Sequence, residues 1–229
     1  TLRIINGGQI SQNKAVTVQR SISLPPLTEK DHKAISVGRE LGVRHFALSF
    51  AGQADEVNQL RELAGSGSFI ISKIESRRGL KNLKEIASVS DALLIDRGDM
   101  SREVPIERIP ATQKHIMEQA KKSGVKVYVA TNLLESMITV PSPTRAEVND
   151  IYNTLMDGAN GLVLAAETAI GSYPVQCADM IVRLIREFNQ EESNMETDFG
   201  KLSVHSQLIE PHGGKLIQCE ANDDDRANL

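Results

Sequence analysis

Charged and hydroxyl side chains stand at the ends of three consecutive apolar runs of the chain. Lys73 and Glu75 end one of these runs, Asp99 follows the next, and Thr131 ends the third. Because residues two apart on a strand share a face, Lys73 and Glu75 point the same way. Carboxylate oxygens suit Mg²⁺, and a lysine nearby neutralises charge on a transferring phosphoryl group or a developing enolate. The combination predicts Mg²⁺-assisted chemistry on a small anionic carbonyl or enol substrate.

Each of these residues also has an ordinary structural explanation. Lys73 and Glu75 could form an exposed ion pair at a strand end, and Thr131 could stand there for its β propensity. Gly98 and Asp99 are common in turns, although Gly98 also lets a ligand approach the backbone closely. If these two residues open a helical turn, their N–H groups can bind a carboxylate or a phosphate. The conjunction at adjacent strand ends favours a functional site over the separate explanations.

The elements that must position these residues alternate between short apolar runs and longer amphipathic stretches. Near-continuous apolar runs are typical of strands buried on both faces of a parallel sheet. They cover residues 44–50, 69–75, 92–96, 126–131 and 161–166. The remaining stretches predict helices over residues 29–41, 53–63, 80–88, 107–123, 145–156 and 174–188. A capping box at Thr144 and Glu147 marks one helix start, and Gly124 and Gly158 mark two helix ends.

Strand–helix repetition at this spacing predicts an α/β fold with a parallel sheet built from βαβ units. Five units are visible, whereas a closed (β/α)₈ barrel needs eight strands in about 250 residues. A doubly wound sheet of five strands is the alternative, and the repeat alone does not decide between them. Residues 1–26 predict short strands before the repeat, and residues 190–207 predict a polar linker after it.

The composition of the 229 residues argues against several classes of protein. Hydrophobic residues make up 40% and charged residues 24%, which are values typical of a globular domain rather than long disorder. The formal net charge of -4 argues against nucleic acid or a membrane surface as a partner. No apolar run approaches the ~20 residues that span a bilayer. The two cysteines, Cys177 and Cys219, have neither metal-site nor disulfide spacing, which fits a reducing, cytoplasmic compartment.

Five motifs of the repeat together resemble the barrel domain of the pyruvate kinase family. They stand in the family's order at residues 71–75 (ISKIE), 97–99 (RGD), 130–137 (ATNLLESM), 143–147 (PTRAE) and 167–174 (ETAIGSYP). Residues 6–8 and 24–31 resemble that family's exit from a small lid domain and its re-entry into the barrel. The resemblance implies a partial (β/α)₈ TIM barrel of about five βα units at residues 27–189. The end of a lid domain would precede it at residues 1–26.

The family resemblance implies Mg²⁺-dependent transfer of phosphate from phosphoenolpyruvate to ADP, giving pyruvate and ATP in the last step of glycolysis, usually with K⁺. Lys73 resembles the lysine that binds the substrate and stabilises the transition state. Glu75 and Asp99 resemble the Mg²⁺ ligands, and the backbone of Gly98 and Asp99 resembles the part that holds the substrate carboxylate. Thr131 resembles a threonine that contacts the substrate beside the reacting carbon.

Several positions depart from the family pattern. The family's first three barrel strands, which carry phosphate and K⁺ ligands, would precede Thr1. Lys14 matches a nucleotide-contacting lysine at the lid junction, but residues 15–18 (AVTV) replace the glycine-and-proline pattern that normally follows. Asn132 stands where the family has glutamine, and residues 165–166 are alanines where it has serine and glycine. The resemblance therefore implies retained Mg²⁺ and lysine chemistry and leaves nucleotide and K⁺ binding open.

Two alternative functions remain open from the sequence. In the first, the barrel is a non-catalytic regulatory domain attached to a sulfate-activating enzyme, because residues 211–216 (PHGGKL) resemble the opening of ATP sulfurylase. Residues 208–229 would then begin a second domain, although Pro-His-Gly-Gly is also a plain turn. In the second, the site carries out Mg²⁺-dependent aldolase or lyase chemistry on 2-oxo acids. The family resemblance also implies a homo-oligomer, and the start at Thr1 indicates a piece of a larger protein.

Overall fold

A computed structural model of the chain shows an open sheet of parallel strands with helices packed against it. The structure describes residues 7–8, 24–199, 206–208 and 219–221. Five strands lie side by side in chain order, and each is parallel to the next. They are β1 (His45–Leu48), β2 (Phe69–Ile74), β3 (Ala92–Asp96), β4 (Lys126–Ala130) and β5 (Gly161–Val163). A separate antiparallel pair joins β6 (Ser206–Leu208) to β7 (Cys219–Ala221).

Helices precede the first strand of the sheet, connect consecutive strands and follow the last one. They are α1 (Glu29–Glu40), α2 (Ala54–Ala64), α3 (Arg77–Lys81), α4 (Leu83–Val89), α5 (Arg97–Met100), α6 (Ile109–Ser123), α7 (Arg145–Met156), α8 (Ala166–Ala169) and α9 (Pro174–Phe199). Two 3₁₀ turns, Ile106–Arg108 and Glu135–Ile138, lie in the connections. Within the part of the chain that the structure describes, no helix is both long and apolar enough to cross a membrane.

The two faces of the sheet carry different apolar clusters. Alternate strand residues such as Ile70 and Ile95 are fully buried in the main core, which lies between the sheet and the helices. The residues between them form a second, smaller cluster on the opposite face, here called the inner face. Its buried members are Ala92, Leu94, Tyr128, Ala130 and Val163, with Phe69 and Ile71 packed against them. Burial on both faces explains why the strands are almost continuously apolar.

The strand order decides between the two architectures that the sequence left open. In a doubly wound sheet the strand order reverses at a switch point, and helices cover both faces. Here the order β1–β2–β3–β4–β5 follows the chain without reversal. The large helix-covered core lies on one face, and the small inner-face cluster lies on the other. The sheet is therefore five βα units of a (β/α)₈ barrel, as predicted, and the doubly wound alternative is wrong.

Local sequence signals set several helix ends. The predicted capping box at the start of α7 is present, with Thr144 and Glu147 each bonded to the other's backbone N–H. Ser136 also donates its N–H and its hydroxyl to the Glu147 carboxylate, at 2.7 and 2.6 Å. Burial raises the pKa of Glu147, but the hydrogen bonds from Ser136 and Thr144 outweigh burial and hold it below its ordinary value. Gly124 ends α6 in the left-handed conformation (φ 68°), as predicted.

Other element boundaries differ from the sequence prediction. The single helix predicted over 80–88 is two helices, because the chain breaks at Asn82 (φ −104°, ψ 17°), whose side-chain amide donates to the carbonyl of Gly52 at 2.6 Å. The strand predicted over 161–166 ends at Val163, and α8 begins at Ala166. The helix predicted to end at 188 continues to Phe199, into the predicted linker.

Several predictions fall outside the residues that the structure describes. Lys14 lies outside them, and so do most of the predicted short strands of residues 1–26. Residues 211–216, which resemble the opening of ATP sulfurylase, lie outside them as well. The lid remnant at 1–26, the barrel boundaries at 27–189 and the second domain at 208–229 therefore stay predictions.

Candidate active site

The carboxyl ends of β2, β3 and β4 bring the predicted site residues together. Lys73 lies opposite Leu94 in the pairing of β2 with β3, and Asp96 lies opposite Ala130 in the pairing of β3 with β4. Lys73 shares a face with Ile71, and Asp96 shares a face with Leu94, so both point to the inner face. Active sites of (β/α)₈ barrels form at this edge, because all parallel strands end there.

Lys73 is held between two buried carboxylates. Its Nζ lies 2.6 Å from Oε1 of Glu75 and 3.1 Å from Oδ2 of Asp96. Burial lowers the pKa of Lys73, but the negative charges of Glu75 and Asp96 outweigh burial and raise it above its ordinary value. The side chain is therefore a charged ammonium at neutral pH. It is 21% exposed, which leaves its charge accessible to a ligand at the strand ends.

Glu75 is a deeply buried carboxylate, with 1% of its surface exposed. Burial raises its pKa, and the opposing contacts from Lys73 and from the backbone N–H of Phe50 do not reverse that shift. Oε1 of Glu75 lies against the Lys73 ammonium, and Oε2 accepts a hydrogen bond from the N–H of Phe50, so each oxygen has a partner among the described residues. A buried carboxylate needs such a compensating positive charge, which Lys73 supplies here and which a bound cation could also supply.

Three carboxylates form a group that could hold a metal ion. One carboxylate oxygen from each of Glu75, Asp96 and Asp99 lies within 4.8 Å of the other two. Asp99 is also within 3.2 Å of Nη2 of Arg102, at the more exposed side of the group. Oxygen ligands at this spacing fit Mg²⁺, which binds one or two protein carboxylates and keeps positions for water and substrate oxygens. The two predicted metal ligands thus lie together, and Asp96 joins them.

The backbone N–H groups predicted to bind an anion are engaged by side chains of the chain itself. Gly98 and Asp99 do open a helical turn, the short helix α5. The N–H of Gly98 donates to Oγ1 of Thr131 at 2.8 Å, and the N–H of Asp99 makes a long hydrogen bond of 3.4 Å to Oδ1 of Asp96. A substrate carboxylate would therefore have to displace Thr131 and Asp96 to reach these two donors.

Thr131 adopts a backbone conformation that a β-branched residue rarely takes. Its φ is 67°, and that of Asn132 is 55°, so both residues are left-handed. The guanidinium of Arg97 holds this turn through hydrogen bonds to the carbonyls of Thr131 (3.1 and 2.9 Å) and Asn132 (2.9 Å). Arg97 is in turn anchored by Asp150 of α7 at 2.6 Å. The turn places the Thr131 hydroxyl 3.2 Å from Oδ1 of Asp96.

An open cavity adjoins the carboxylate group on the side of β4 and β5. It has a volume of about 320 Å³, and Asp96, Asp99 and Thr131 form part of its wall. Glu167 also lines it and is 1% exposed. Its carboxylate accepts the N–H of Leu134 at 3.1 Å, which ties the turn after β4 to the segment after β5. The cavity leaves room for a small anionic substrate beside the candidate metal ligands.

The site contains residues to which the sequence analysis gave no role. Asp96 ends an otherwise apolar run, and strand alternation alone places it on the face of Leu94. That signal could have identified it as an inward-pointing charge. Arg97 reaches the turn after β4, and Glu167 reaches Leu134, across more than thirty positions of sequence in each case. No local sequence pattern predicts either of these two contacts.

Comparisons with known proteins are consistent with this geometry. The family model described as the barrel domain of pyruvate kinase matches residues 1–178. The chain is 39% identical to a pyruvate kinase of Clostridium perfringens over 201 residues, covering 86% of this chain and 42% of that protein. It is 40% identical to one of Dictyostelium discoideum over 210 residues (89% and 41%) and 37% identical to one of Thermotoga maritima over 223 residues (92% and 48%). The chain therefore spans less than half the length of these relatives.

Proposed function

This chain belongs to the pyruvate kinase family, and on that premise we propose that the protein transfers the phosphoryl group of phosphoenolpyruvate to ADP, forming pyruvate and ATP. The observation that carries the proposal is the position of the Lys73 ammonium at the strand ends, 2.6 Å from Glu75, whose carboxylate is grouped with that of Asp99. A fixed positive charge next to a set of hard oxygen ligands is what phosphoryl transfer from an anionic substrate requires.

In the proposed reaction, Lys73 neutralises negative charge on the phosphoryl group as it leaves the enol oxygen. Glu75 and Asp99 would hold Mg²⁺, which when bound supplies further positive charge and orients the substrate oxygens. Thr131 lies at the wall of the cavity, where its hydroxyl would contact the substrate beside the reacting carbon. Gly98 and Asp99 would offer their backbone N–H groups to the substrate carboxylate once Thr131 and Asp96 release them.

The proposed partners are phosphoenolpyruvate or pyruvate and ADP or ATP, with Mg²⁺ and K⁺ as cofactors. Lys14 stays a proposed nucleotide contact, and the homo-oligomer and cytoplasmic location stay predictions. A second candidate is Mg²⁺-dependent aldol or lyase chemistry on a 2-oxo acid. The same carboxylate group and the Lys73 ammonium support it, because a 2-oxo acid also develops enolate charge that a cation and a lysine can stabilise.

The test is phosphoenolpyruvate-dependent ATP formation by the intact protein, with Mg²⁺ and K⁺ each present and absent. Lys73→Met removes the ammonium and should lower the rate by at least ~100-fold, as loss of a group that stabilises transition-state charge does. Lys114→Met is the matched control, because Lys114 is 62% exposed and pairs only at the surface with Asp157 at 3.2 Å. Its rate should stay within about twofold of the original.

Two results would count against the proposal. The first is ATP formation that Lys73→Met leaves unchanged. The second is a folded intact protein that forms no ATP under any of these conditions. In the second case, release of pyruvate from a 2-oxo acid in the presence of Mg²⁺ would support the aldolase or lyase candidate, and its absence would favour a regulatory domain.

A further inference from the structure

We infer that Asp96 is a third carboxylate ligand of the divalent-cation site, and that it holds Lys73 when the cation is absent. The inference rests on the proposed function, since it concerns the same metal site, but it assigns a residue beyond the two ligands that the family resemblance implies. It follows from where the Asp96 carboxylate lies and from what surrounds each of its oxygens.

The Asp96 carboxylate is placed toward the other two ligands by the strand that carries it. It is the last residue of β3 and has 7% of its surface exposed, so its charge is largely removed from water. Its oxygens lie 3.1 Å from Nζ of Lys73 and 3.2 Å from Oγ1 of Thr131. A buried carboxylate is stable only beside a compensating charge. Lys73 supplies that charge in this structure, and a divalent cation would supply it in the bound state.

The spacing of the three carboxylates fits one ion. The oxygens of Glu75, Asp96 and Asp99 lie within 4.8 Å of one another. Ligands about 2.1 Å from an octahedral Mg²⁺ lie up to about 4.2 Å apart, so small side-chain rotations would bring all three onto the ion. In this structure the Lys73 ammonium lies between Glu75 and Asp96, 2.6 Å and 3.1 Å from their oxygens, so these two carboxylates already share one positive charge.

The charge balance at the strand ends gives the reason for a third ligand. Three carboxylates face the single ammonium of Lys73, with Arg102 near Asp99 at the exposed side. A cation bound by Glu75 and Asp96 would balance their negative charges in place of Lys73. The Lys73 ammonium would then be free to pair with a substrate anion. Asp96 would thus couple cation binding to the release of Lys73 and of the Asp99 backbone N–H.

Helix capping alone does not account for Asp96. The helix that it caps, α5, is four residues long, and the capping hydrogen bond from the N–H of Asp99 is long at 3.4 Å. Asparagine caps helices as well as aspartate does. Asp96→Asn therefore keeps the cap, the size and the hydrogen-bond acceptor for Thr131, and removes the negative charge. A change in cation affinity in this variant reports on the charge.

The experiment measures Mn²⁺ binding to the intact protein by electron paramagnetic resonance, without any substrate. Asp96→Asn and Asp96→Ala should each raise the Kd for Mn²⁺ by at least about tenfold, since even outer-shell changes at metal sites cost 10–100-fold. Asp157→Asn is the matched control, because Asp157 pairs with Lys114 beyond the C-terminal end of α7, and its Kd should stay within twofold. An unchanged Kd in a folded Asp96→Asn protein would overturn the inference.

A second measurement does not depend on any variant folding. In crystals of the intact protein soaked in Mn²⁺, the anomalous difference map should show the ion about 2.0–2.6 Å from an oxygen of Asp96. An ion bound by Glu75 and Asp99 with Asp96 still paired to Lys73 would overturn the inference. Both measurements are separate from turnover. Failure to form ATP would defeat the proposed function alone, and an Asp96-independent Mn²⁺ site in an active kinase would defeat this inference alone.

Discussion

Replacing Arg97 with lysine should loosen the left-handed turn that carries Thr131. The Arg97 guanidinium makes three hydrogen bonds to the carbonyls of Thr131 and Asn132, and its side chain is 10% exposed. It also makes the ion pair with Asp150. A lysine has one nitrogen and lacks the planar fork, so Arg97→Lys keeps the charge and loses most of these bonds.

The expected cost can be worked from the separate contacts. Loss of two hydrogen bonds from a buried charged donor costs about 3–6 kcal/mol, at about 1.5–3 kcal/mol for each bond. The ion pair with Asp150 adds little, about 0–1 kcal/mol, because Asp150 is 43% exposed. Relaxation of the strained, left-handed Thr131 returns roughly 1–3 kcal/mol and so offsets part of this cost. We expect Arg97→Lys to lower the free energy of unfolding by about 2–4 kcal/mol.

Urea denaturation of the intact protein, followed by circular dichroism, measures this change. For a slope of about 2–3 kcal/mol/M, the midpoint should fall by about 1 M. The relaxed turn also misplaces the Thr131 hydroxyl. If phosphoenolpyruvate is the substrate, as proposed, kcat/KM should fall by at least about tenfold even without urea, where the variant is folded. Arg183→Lys is the control, because Arg183 pairs with Asp179 at 3.1 Å on an exposed helix face, and its midpoint should not change measurably.

The reasoning would be refuted by an Arg97→Lys protein that unfolds within 0.5 kcal/mol of the original and keeps its kcat/KM. Such a result would mean that the turn after β4 holds its left-handed conformation without the guanidinium. A lower midpoint with unchanged kcat/KM would refute only the link from Arg97 to the position of Thr131.

Three further predictions concern packing and ionisation. Because hydrogen bonds hold the pKa of Glu147 below its ordinary 4.5, its stabilisation is present above that pH and is lost as the pH falls through the folded-state pKa. Urea titrations should show that Glu147→Gln lowers the free energy of unfolding by about 1 kcal/mol at pH 7. This difference between the variant and the original protein should shrink below pH ~4.5. A difference that stays constant with pH would contradict the prediction. Gly171→Ala should lower the urea midpoint by the equivalent of about 1–3 kcal/mol, because a Cβ there would lie 2.2 Å from the carbonyl oxygen of Glu167. Gly67→Ala is the control: a Cβ at that position meets nothing within 4 Å, so the midpoint should not change. Cys177 is fully buried, and its burial, together with the nearby carboxylates, raises the pKa of its thiol. In a protein whose other cysteines are replaced by serine, Ellman's reagent should therefore react with Cys177 only after unfolding. Rapid labelling of the native protein would contradict the burial of this thiol.

Much of the architecture follows from patterns that are local in the chain. Period-two and period-3.6 apolar patterns depend only on neighbouring residues, so the sequence predicted all five strands of the parallel sheet and the main helices between them. The α7 capping box and the end of α6 at Gly124 are equally local. The spacing of Lys73 and Glu75 fixes that they share a strand face, and the structure places them 2.6 Å apart.

Features that depend on contacts between residues distant in sequence are seen only in the folded structure. Strand order distinguishes a barrel segment from a doubly wound sheet. It depends on which strands pair with each other, and the local sequence pattern does not show this. The break at Asn82 arises from its bond to Gly52, across the sheet connection. Propensity and periodicity carry no information about such partners, because the energy of the contact comes from a residue that the local pattern does not contain.

The same distinction between local sequence and distant contacts applies to the candidate site. The order of residues along the chain specifies which side chains stand at or just after the strand ends: Lys73, Glu75, Asp99 and Thr131. Only the register of β2 against β3 decided that Asp96 would lie 3.1 Å from Lys73. That register depends on packing the inner and outer faces of neighbouring strands together, since a slip of one residue would turn every side chain to the opposite face. The sequence thus specifies which charged residues lie at this edge, and the register of the folded sheet specifies which of them form ion pairs.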